Sequence, residues 1–263
     1  MVELKTSGDR GVRGGDKTRW VKELEEALLD GRADLAVHSA KDVPGQLPDG
    51  LSIVGVPERA DARDAVCGAA GVAAIPEGAV VGTSSLRRRS QLLALRPDIV
   101  VEEMRGNVDT RLKKLREREY DAVVLARAGL DRLGVDEGAP VDVALLTPAP
   151  GQGSLALEAR SGNSEIAELA AAATDRRALV ELTAERAAVT ALDATCHTPV
   201  GAHAQLEDDR LTIEGYAGLP DGSTWIRDRL QGDAADPSAL GRELGERMLA
   251  AGAGALLAQV EAG

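Results

Sequence analysis

The residues best suited to chemistry begin with a lysine and an aspartate that directly follow an apolar run. The run "ADLAVHSA" (residues 33–40) leads into Lys41 and Asp42, and Pro44 comes shortly afterwards. A carboxylate at the end of a buried strand can stabilise a developing positive charge or transfer a proton. The same two residues could instead form an ordinary ion pair in a loop. Their spacing alone leaves both interpretations open.

Several arginines lie in segments that should meet at one edge of a sheet. Arg87–Arg89 fall at the predicted N-terminus of a helix, where the helix dipole disfavours cations unless an anion compensates them. Arg105 and Arg111 lie in "MRGNVDTR", and Arg132 follows another apolar strand. Any one of them could be a solvated surface residue. If the sheet is parallel, however, they converge at the C-terminal ends of its strands, and their guanidinium groups predict a polycarboxylate ligand.

The third candidate is Cys196, in the loop segment "LDATCHTPVGAHA". A lone cysteine is usually a small buried hydrophobe, but a loop position beside His197 suits a reactive thiolate. Cys196, His197 and His203 lack the spacing and the fourth ligand of a standard zinc site, so we expect no bound metal. We interpret Cys67 as structural and His38 as a core or hinge histidine at a strand end.

Periodic apolar residues predict the elements that position these side chains. Residues 18–31 form an amphipathic helix, and the strand after it reads as buried on both faces of a parallel sheet. Ser84 or Ser85 can cap a helix that runs to Leu95. A second helix and strand, 110–119 and 121–126, repeat the same pattern. We therefore expect two α/β domains of similar build.

The remainder of the chain predicts a smaller domain of another class. Residues 145–160 contain prolines and glycines before an apolar strand, as in a crossing between domains. Residues 164–195 are rich in Ala and Glu and should be helical. Alternation and Asp-Gly turns over 204–232 predict an antiparallel meander, and a last helix is predicted over 239–260. Together these elements indicate a small α+β domain.

Composition limits the classes of function. The 263-residue chain has a formal net charge of −12, which disfavours an extended nucleic-acid site. Two cysteines are too few for a disulfide framework. The chain has no run of membrane-spanning length and no signal-like start, so we expect a cytoplasmic location without membrane association. Aromatic residues are only 2%, so the core must be built from aliphatic side chains.

Seven segments, taken together and in this order, resemble the porphobilinogen deaminase (hydroxymethylbilane synthase) family. They cover the chain nearly from end to end: "KELEEALLDGRADLAVHSAKDVP", "RADARDAVCG", "GTSSLRRRSQLLALRPD", "MRGNVDTRLKKL", "YDAVVLARAGLDRLG", "PAPGQGSLALEAR" and "CHTPVGAHA". No single segment would be sufficient, but the ordered set is specific.

The resemblance implies an α/β fold with two periplasmic-binding-protein-like domains and a small C-terminal α+β domain. Mapped onto this chain, domain 1 comprises residues 1–57 and 155–173. Domain 2 comprises residues 60–150, and the C-terminal cofactor-attachment domain comprises residues 176–263.

The resemblance also implies a transferase that condenses four porphobilinogen molecules head to tail, with loss of ammonia, into hydroxymethylbilane for tetrapyrrole biosynthesis. Its dipyrromethane cofactor would be bound covalently through a thioether to Cys196, and Asp42 would be the catalytic carboxylate. The cofactor would be bound by Lys41, Ser85, Arg87, Arg88 and Arg105. The substrate would be bound by Arg111, Arg132 and Lys17. We expect a monomer whose only partner is this small-molecule substrate.

The resemblance has one large departure, at the start of the chain. The family begins with a strand and helix carrying a "TR-S-LAL-QA" motif, whereas this chain begins with "MVELKTSGDR". A strand, a helix and their loops need about 30 to 40 residues. We therefore expect a first domain that is incomplete at its N-terminus, and reduced activity. The alternative function is a non-enzymatic two-domain binding protein for a carboxylate, because fold does not fix function.

Cys196 separates these two functions, since a binding protein would not need a tethering thiol. Intact mass spectrometry of the freshly purified protein should show an adduct of two pyrrole units that is absent from a Cys196→Ser variant. A Cys67→Ser variant is the control and should keep the adduct. An unmodified Cys196 thiol in active protein would contradict the enzyme hypothesis.

Overall fold

The structure, a computed structural model, describes residues 17–195 and 198–262, with side chains described from residue 21 onward. Within these residues it has eight α-helices and eleven strands. In chain order they are α1 (Lys17–Leu29), β1 (Ala36–Ser39), β2 (Leu51–Gly55), β3 (Asp64–Cys67), β4 (Val80–Gly82), α2 (Leu86–Leu95), β5 (Val100–Glu102), α3 (Val108–Arg116), β6 (Ala122–Ala126), α4 (Arg127–Arg132), β7 (Ala139–Pro140), β8 (Leu155–Arg160), α5 (Ser164–Ala172), α6 (Arg176–Ala191), β9 (Val200–Glu207), β10 (Arg210–Gly218), β11 (Trp225–Asp233), α7 (Pro237–Ala250) and α8 (Ala253–Ala262).

The described strands form three sheets, and the predicted α/β class with a C-terminal α+β unit is confirmed. Their strand orders are β1-β8-β2, β5-β4-β6-β3-β7 and β11-β10-β9. The first sheet takes its central strand from β8, far along the chain from β1 and β2. Each sheet falls within one of the three predicted domains, whose bounds stay a prediction.

The first sheet corrects the prediction that the first strand is buried on both faces of a parallel sheet. Strand β1 pairs antiparallel with β8, with Ala36 opposite Glu158 and His38 opposite Ala156. Its side chains alternate between buried and exposed positions: His38 is 6% exposed, whereas Val37 is 55% exposed. This alternation shows that one face of the strand is covered, as in an antiparallel sheet that packs one face on the core.

The second sheet is mixed. Strand β4 pairs in parallel with β5 and β6, whereas β3 pairs antiparallel with β6 and β7. Apolar side chains pack on both faces of this sheet. Ser85 caps helix α2, because its hydroxyl accepts a hydrogen bond from the Arg88 backbone N–H. Asn107 caps helix α3 in the same way, with its side chain accepting from the Thr110 backbone N–H. Ser85 is thus one of the two predicted caps, and the predicted helix end at Leu95 is confirmed.

The third sheet is the predicted antiparallel meander, and it packs against helices α6 and α7. The prediction of a single last helix over 239–260 was wrong, because α7 ends at Ala250 and α8 starts at Ala253. Gly252 between them has φ of 105°. This backbone region is outside the helical range and favours glycine, so the helix is interrupted there.

A buried network of charged residues joins the three sheets. Arg59, between β2 and β3, places Nη1 2.7 Å from Glu185 Oε1 on α6, and 3.3 Å from Glu181. Glu185 is fully buried and also accepts hydrogen bonds from the backbone N–H groups of Gly151 and Ala204. Burial acts to raise the pKa of Glu185, but Arg59 and the nearby His203 lower it below its usual range. The network therefore ties the connections between the first two sheets to the C-terminal unit.

We predict that a Glu185→Gln variant loses about 3 kcal/mol of unfolding free energy, because it leaves the buried Arg59 with only one acidic partner. Denaturant unfolding followed by circular dichroism would measure this loss. The control is Glu168→Gln on α5, an exposed position where we expect less than about 0.5 kcal/mol. Equal stability of the two variants would show that the network does not stabilise the fold.

Candidate active site

Asp42 ends a short 3₁₀ turn, Ala40–Asp42, that directly follows β1. Two other parts of the chain support this turn. The Ala40 N–H donates to the carbonyl of Ser154, just before β8, at 3.0 Å. Arg186 on α6 donates to the carbonyls of Pro44 and Gly45 at 2.7 and 3.0 Å. The position of Asp42 is therefore defined by β8 and by the C-terminal unit as well as by its own strand.

Three titratable side chains are buried near this turn: His38 and Glu158 in the first sheet, and Glu25 on helix α1. His38 Nε2 is 2.9 Å from Glu158 Oε2, although the contact lacks hydrogen-bond geometry. Glu25 on α1 is 6% exposed. Burial and then the charge of Glu158 raise the pKa of Glu25, whereas His38 and Lys22 act in the opposite direction. Glu25 therefore favours its protonated form more in the folded chain than in the unfolded chain.

The predicted arginine pair lies in the first turn of α2 and is nearly fully buried against Asp64. Arg88 donates from Nε and Nη2 to Asp64 Oδ1 at 3.0 and 2.7 Å, and Arg87 donates from Nη1 to Oδ2 at 2.8 Å. Asp64 is 0% exposed. Burial would raise the pKa of Asp64, but the two guanidinium groups hold it well below its usual range. Asp64 is therefore ionised and compensates one of the two charges.

Arg111 adds a further positive charge beside this pair. Its Nε donates to the carbonyl of Gly106 at 2.8 Å and its Nη2 to the Ser84 hydroxyl at 3.1 Å. Burial, and then the charge of Arg88, lower the pKa of Arg111. No described acidic side chain forms an ion pair with Arg111. Two guanidinium groups thus share one buried carboxylate while a third lies nearby, an excess of positive charge that fits an anionic ligand.

The sheet topology explains how these residues meet. Because β5, β4 and β6 are parallel neighbours, the segments after them reach the same edge. The segment after β4 carries the arginine pair, and the segment after β5 carries Arg105 and Arg111. Strand β3 runs in the opposite direction, with Asp64 opposite Ala126 at the end of β6. The first residue of β3 therefore lies at the edge where the parallel strands end.

The remaining predicted site residues are less closely grouped. Arg105 is exposed and pairs with Glu103 at 2.7 Å, and no contact links it to the buried arginine pair within the described residues. Arg132 donates to the carbonyl of Gly153 at 2.8 Å. Lys41 precedes Asp42 in the same turn. Cys196 and the side chain of Lys17 lie outside what the structure describes.

Two functional candidates were missed from the sequence, Asp64 and Gln152. Gln152 is 1% exposed, and its side-chain amide donates to Asp64 Oδ1 at 2.8 Å and to the carbonyl of Ala62 at 2.7 Å. Both residues lie in segments that carry the family resemblance, but the local pattern of "DARDAV" and "PGQGS" assigns neither residue a role at the site. The antiparallel pairing of β3, which brings Asp64 to the site, was the information that sequence reasoning lacked.

Cys67 has the environment of a structural residue. Its side chain is buried, and burial together with Glu137 raises the pKa of the thiol to about 11. The thiol is thus protonated at neutral pH and is a poor nucleophile. Among residues 17–195 and 198–262, no cluster of three or more His, Cys, Asp or Glu side chains could hold a metal ion. No helix in the described residues combines the length and the apolar character that a membrane span requires.

Comparisons with known proteins match the chain over nearly its full length. Residues 1–168 match the family model "Porphobilinogen deaminase, dipyromethane cofactor binding domain", and residues 179–250 match "Porphobilinogen deaminase, C-terminal domain". The porphobilinogen deaminase of Deinococcus radiodurans is 46% identical over 98% of this chain and 87% of its own length. The corresponding protein of Roseiflexus castenholzii is 50% identical over 93% and 82%, and that of Thermus thermophilus is 46% identical over 98% and 87%.

The raised pKa of Glu25 predicts a pH-dependent effect of its replacement. A protonated Glu25 stabilises the fold below its unfolded pKa of about 4.3, and this contribution is lost as pH rises through the raised folded pKa. A Glu25→Gln variant should therefore become more stable, relative to the wild type, as the pH rises from about 4 through the raised folded pKa. Thermal unfolding across this range would measure the difference. A Glu26→Gln control at the exposed neighbouring position should show no such trend, and an equal trend in both variants would refute the assignment.

Proposed function

This chain belongs to the porphobilinogen deaminase family, and on that premise we propose that it condenses four porphobilinogen molecules head to tail, with loss of ammonia, into hydroxymethylbilane. The product would serve tetrapyrrole biosynthesis. One structural observation supports this function above the others. Arg87 and Arg88 share the buried carboxylate of Asp64, and Arg111 lies near Arg88 without an ion-pair partner among the described residues. Porphobilinogen carries an acetate and a propionate on its pyrrole ring, so every added unit brings two carboxylates for this excess positive charge to bind.

The non-enzymatic alternative is not favoured. A two-domain binding protein would need only the part of the chain that carries the first two sheets. The matches to the porphobilinogen deaminase family extend through residues 179–250, and the relatives align over most of their own length. The C-terminal unit also contacts the site directly, since Arg186 on α6 supports the loop after Asp42.

The described residues fit a dipyrromethane cofactor, the group named by the matching family model. Arg87 Nε is buried without a hydrogen-bond partner among the described residues, and Arg111 has no acidic partner there. Both groups could bind carboxylates of a pyrrole. We propose that Cys196 attaches the cofactor, and that its carboxylates are bound by Lys41, Ser85, Arg87, Arg88 and Arg105. When bound, the cofactor supplies the pyrrole ring to which substrate units are added.

Asp42 is the proposed catalytic residue. Loss of ammonia from the aminomethyl group of porphobilinogen leaves a cation that the ring delocalises onto its nitrogen. A fixed carboxylate beside that nitrogen stabilises the cation, and the stabilisation is greatest where water is excluded. A protonated Asp42 can give its proton to the leaving amine. The carboxylate formed by this transfer stabilises the cation and later accepts the displaced ring proton, which restores the starting form. The hydrogen bonds of Ala40 and Arg186 hold its turn in place without reorganisation.

Arg111, Arg132 and Lys17 are the proposed ligands of the substrate carboxylates. Arg111 lies beside the buried pair, and Arg132 uses one of its five N–H groups on Gly153, which leaves others for a ligand. We further propose that the protein acts in the cytoplasm as a monomer, with porphobilinogen as its small-molecule partner. The net charge of −12 supports the absence of a nucleic-acid partner. The domain bounds 1–57 with 155–173, 60–150 and 176–263 belong to the same proposal.

An Asp42→Asn variant tests the catalytic assignment. We expect its kcat to fall by about 100-fold or more, because the neutral amide neither stabilises the substrate cation nor transfers the proton. Consumption of porphobilinogen and formation of the linear bilane would be followed under saturating substrate. The control is Asp49→Asn, an exposed position further along the same connection, which should keep the wild-type rate. A wild-type kcat in Asp42→Asn would exclude this role.

A further inference from the structure

We infer that Asp64 is a positioning residue of this site, which holds the guanidinium groups of Arg87 and Arg88 in the orientation that binds ligand carboxylates. The inference extends to Gln152, which connects Asp64 to the segment before β8, residues 147–154, here called the crossover. It rests on the proposed function, because the cofactor and substrate of that function carry the carboxylates to be bound. Neither residue is expected to touch the substrate.

Asp64 divides its two oxygens between the two arginines. Oδ2 accepts from Arg87, and Oδ1 accepts from Nε and Nη2 of Arg88. Oδ1 also accepts from the amide of Gln152. Hydrogen bonds from two directions fix the plane of the carboxylate, and the plane of the carboxylate in turn fixes both guanidinium groups. Such a set of buried, charge-assisted contacts has little freedom to reorient.

The contacts leave one edge of Arg87 without a protein partner at Nε in the described part of the chain. Arg87 uses Nη1 for both of its protein partners, Asp64 and the carbonyl of Thr147. Its Nε is buried and has no hydrogen-bond partner within the described residues. The Nε–Nη2 edge is a side of a guanidinium group that can bind a carboxylate through two parallel hydrogen bonds. A buried donor left without a partner is costly, so a ligand oxygen at this position would stabilise the site.

Gln152 connects this arrangement to the turn that carries Asp42. Its side chain contacts Asp64, while its own carbonyl accepts from Arg59 Nε at 3.0 Å. Ser154, in the same crossover segment, accepts from the N–H of Ala40 at the start of the turn. The crossover therefore contacts both the group that orients the arginines and the turn that carries the catalytic carboxylate. A displacement of Asp64 should alter how a bound carboxylate is placed relative to Asp42.

A role through charge and a role through orienting the arginines predict opposite effects of replacing Asp64 on ligand binding. Asp64 is a negative charge within hydrogen-bond distance of two cations that bind an anion. If it acted only through its charge, its removal would strengthen the binding of anionic ligands. If it acts by orienting the arginines, its removal weakens that binding, even though the site becomes more positive. The sign of the change therefore identifies the role.

The experiment compares Asp64→Asn with Asp61→Asn, which removes the same charge from a surface ion pair with Arg63 just before β3. Citrate, a small polycarboxylate, is the binding probe, and its Kd is measured by isothermal titration calorimetry. The KM and kcat for porphobilinogen and the mass of the intact protein are measured in parallel. For Asp64→Asn we expect the citrate Kd to rise about tenfold, as for the loss of one charge-assisted hydrogen bond. Because Arg87 and Arg88 are proposed to bind the cofactor, we also expect the intact mass to show a smaller share of protein with the two-pyrrole adduct, and the KM to change less than the citrate Kd. Asp61→Asn should match the wild type.

A citrate Kd that is unchanged or lower in Asp64→Asn overturns the inference. Because this variant leaves two buried arginines without a carboxylate, it could fail to fold, and thermal unfolding would reveal this. Gln152→Met then decides, since it keeps the volume and the charge but removes the amide that orients Asp64. We expect the citrate Kd of Gln152→Met to rise by a smaller factor in the same direction, and an unchanged Kd overturns the inference.

The same measurements separate this inference from the proposed function. A wild-type protein without turnover of porphobilinogen and without a two-pyrrole adduct would refute the function, while the citrate comparison would still test Asp64. A wild-type protein that is active and binds citrate with the same Kd as Asp64→Asn would refute only the inference.

Discussion

The structure of the site depends on one buried carboxylate that is shared between two buried guanidinium groups. Asp64 accepts three hydrogen bonds from Arg87 and Arg88, and it is fully buried. Two arginines could not remain buried without such a partner, because an uncompensated charge in the protein interior is costly. Since Asp64 compensates only one of them, and Arg111 lies close by, the site keeps an excess of positive charge. This excess is what a ligand with several carboxylates requires.

The crossover before β8 holds the parts of this site together through hydrogen bonds. Within a few residues it contacts Asp64 through Gln152, Arg132 through the carbonyl of Gly153, and the turn of Asp42 through the carbonyl of Ser154. The same segment is bound to the C-terminal unit, because the Gly151 N–H donates to Glu185. Gly153 has φ of 89°, and a side chain there would collide with the carbonyl of Ala60. The segment can follow this path only with glycine at that position.

Much of the local structure could be predicted because it is encoded locally. The end of α2 at Leu95 and its cap at Ser85 follow from capping chemistry and from the following proline. The meander of β9, β10 and β11 follows from alternation and turn residues. One of the errors has an equally local cause. The last helix was predicted as continuous because apolar periodicity continues across Gly252, whereas the backbone conformation of that glycine interrupts it.

Other features could not be read from neighbouring residues. The first strand was predicted to lie in a parallel sheet, but its partner β8 comes from more than a hundred residues away and runs in the opposite direction. The grouping of Arg87, Arg88 and Arg111 was predicted from the parallel order of the strands after which they occur, and the structure brings these three together. Arg105 was assigned to the same group, yet it pairs with Glu103 at an exposed position.

The sequence by itself determined the family, the order of helices and strands, and the residue types that the chemistry requires, because these are carried by motifs and by short-range periodicity. Only the tertiary structure decided which acidic residue accompanies the arginines, and which segment joins them to Asp42. Asp64 and Gln152 lie far apart in the chain and resemble ordinary loop residues in their local context. Their proximity arises from the antiparallel pairing of β3 and from the path of the crossover, and pairing between distant segments leaves no signal in the residues around either one.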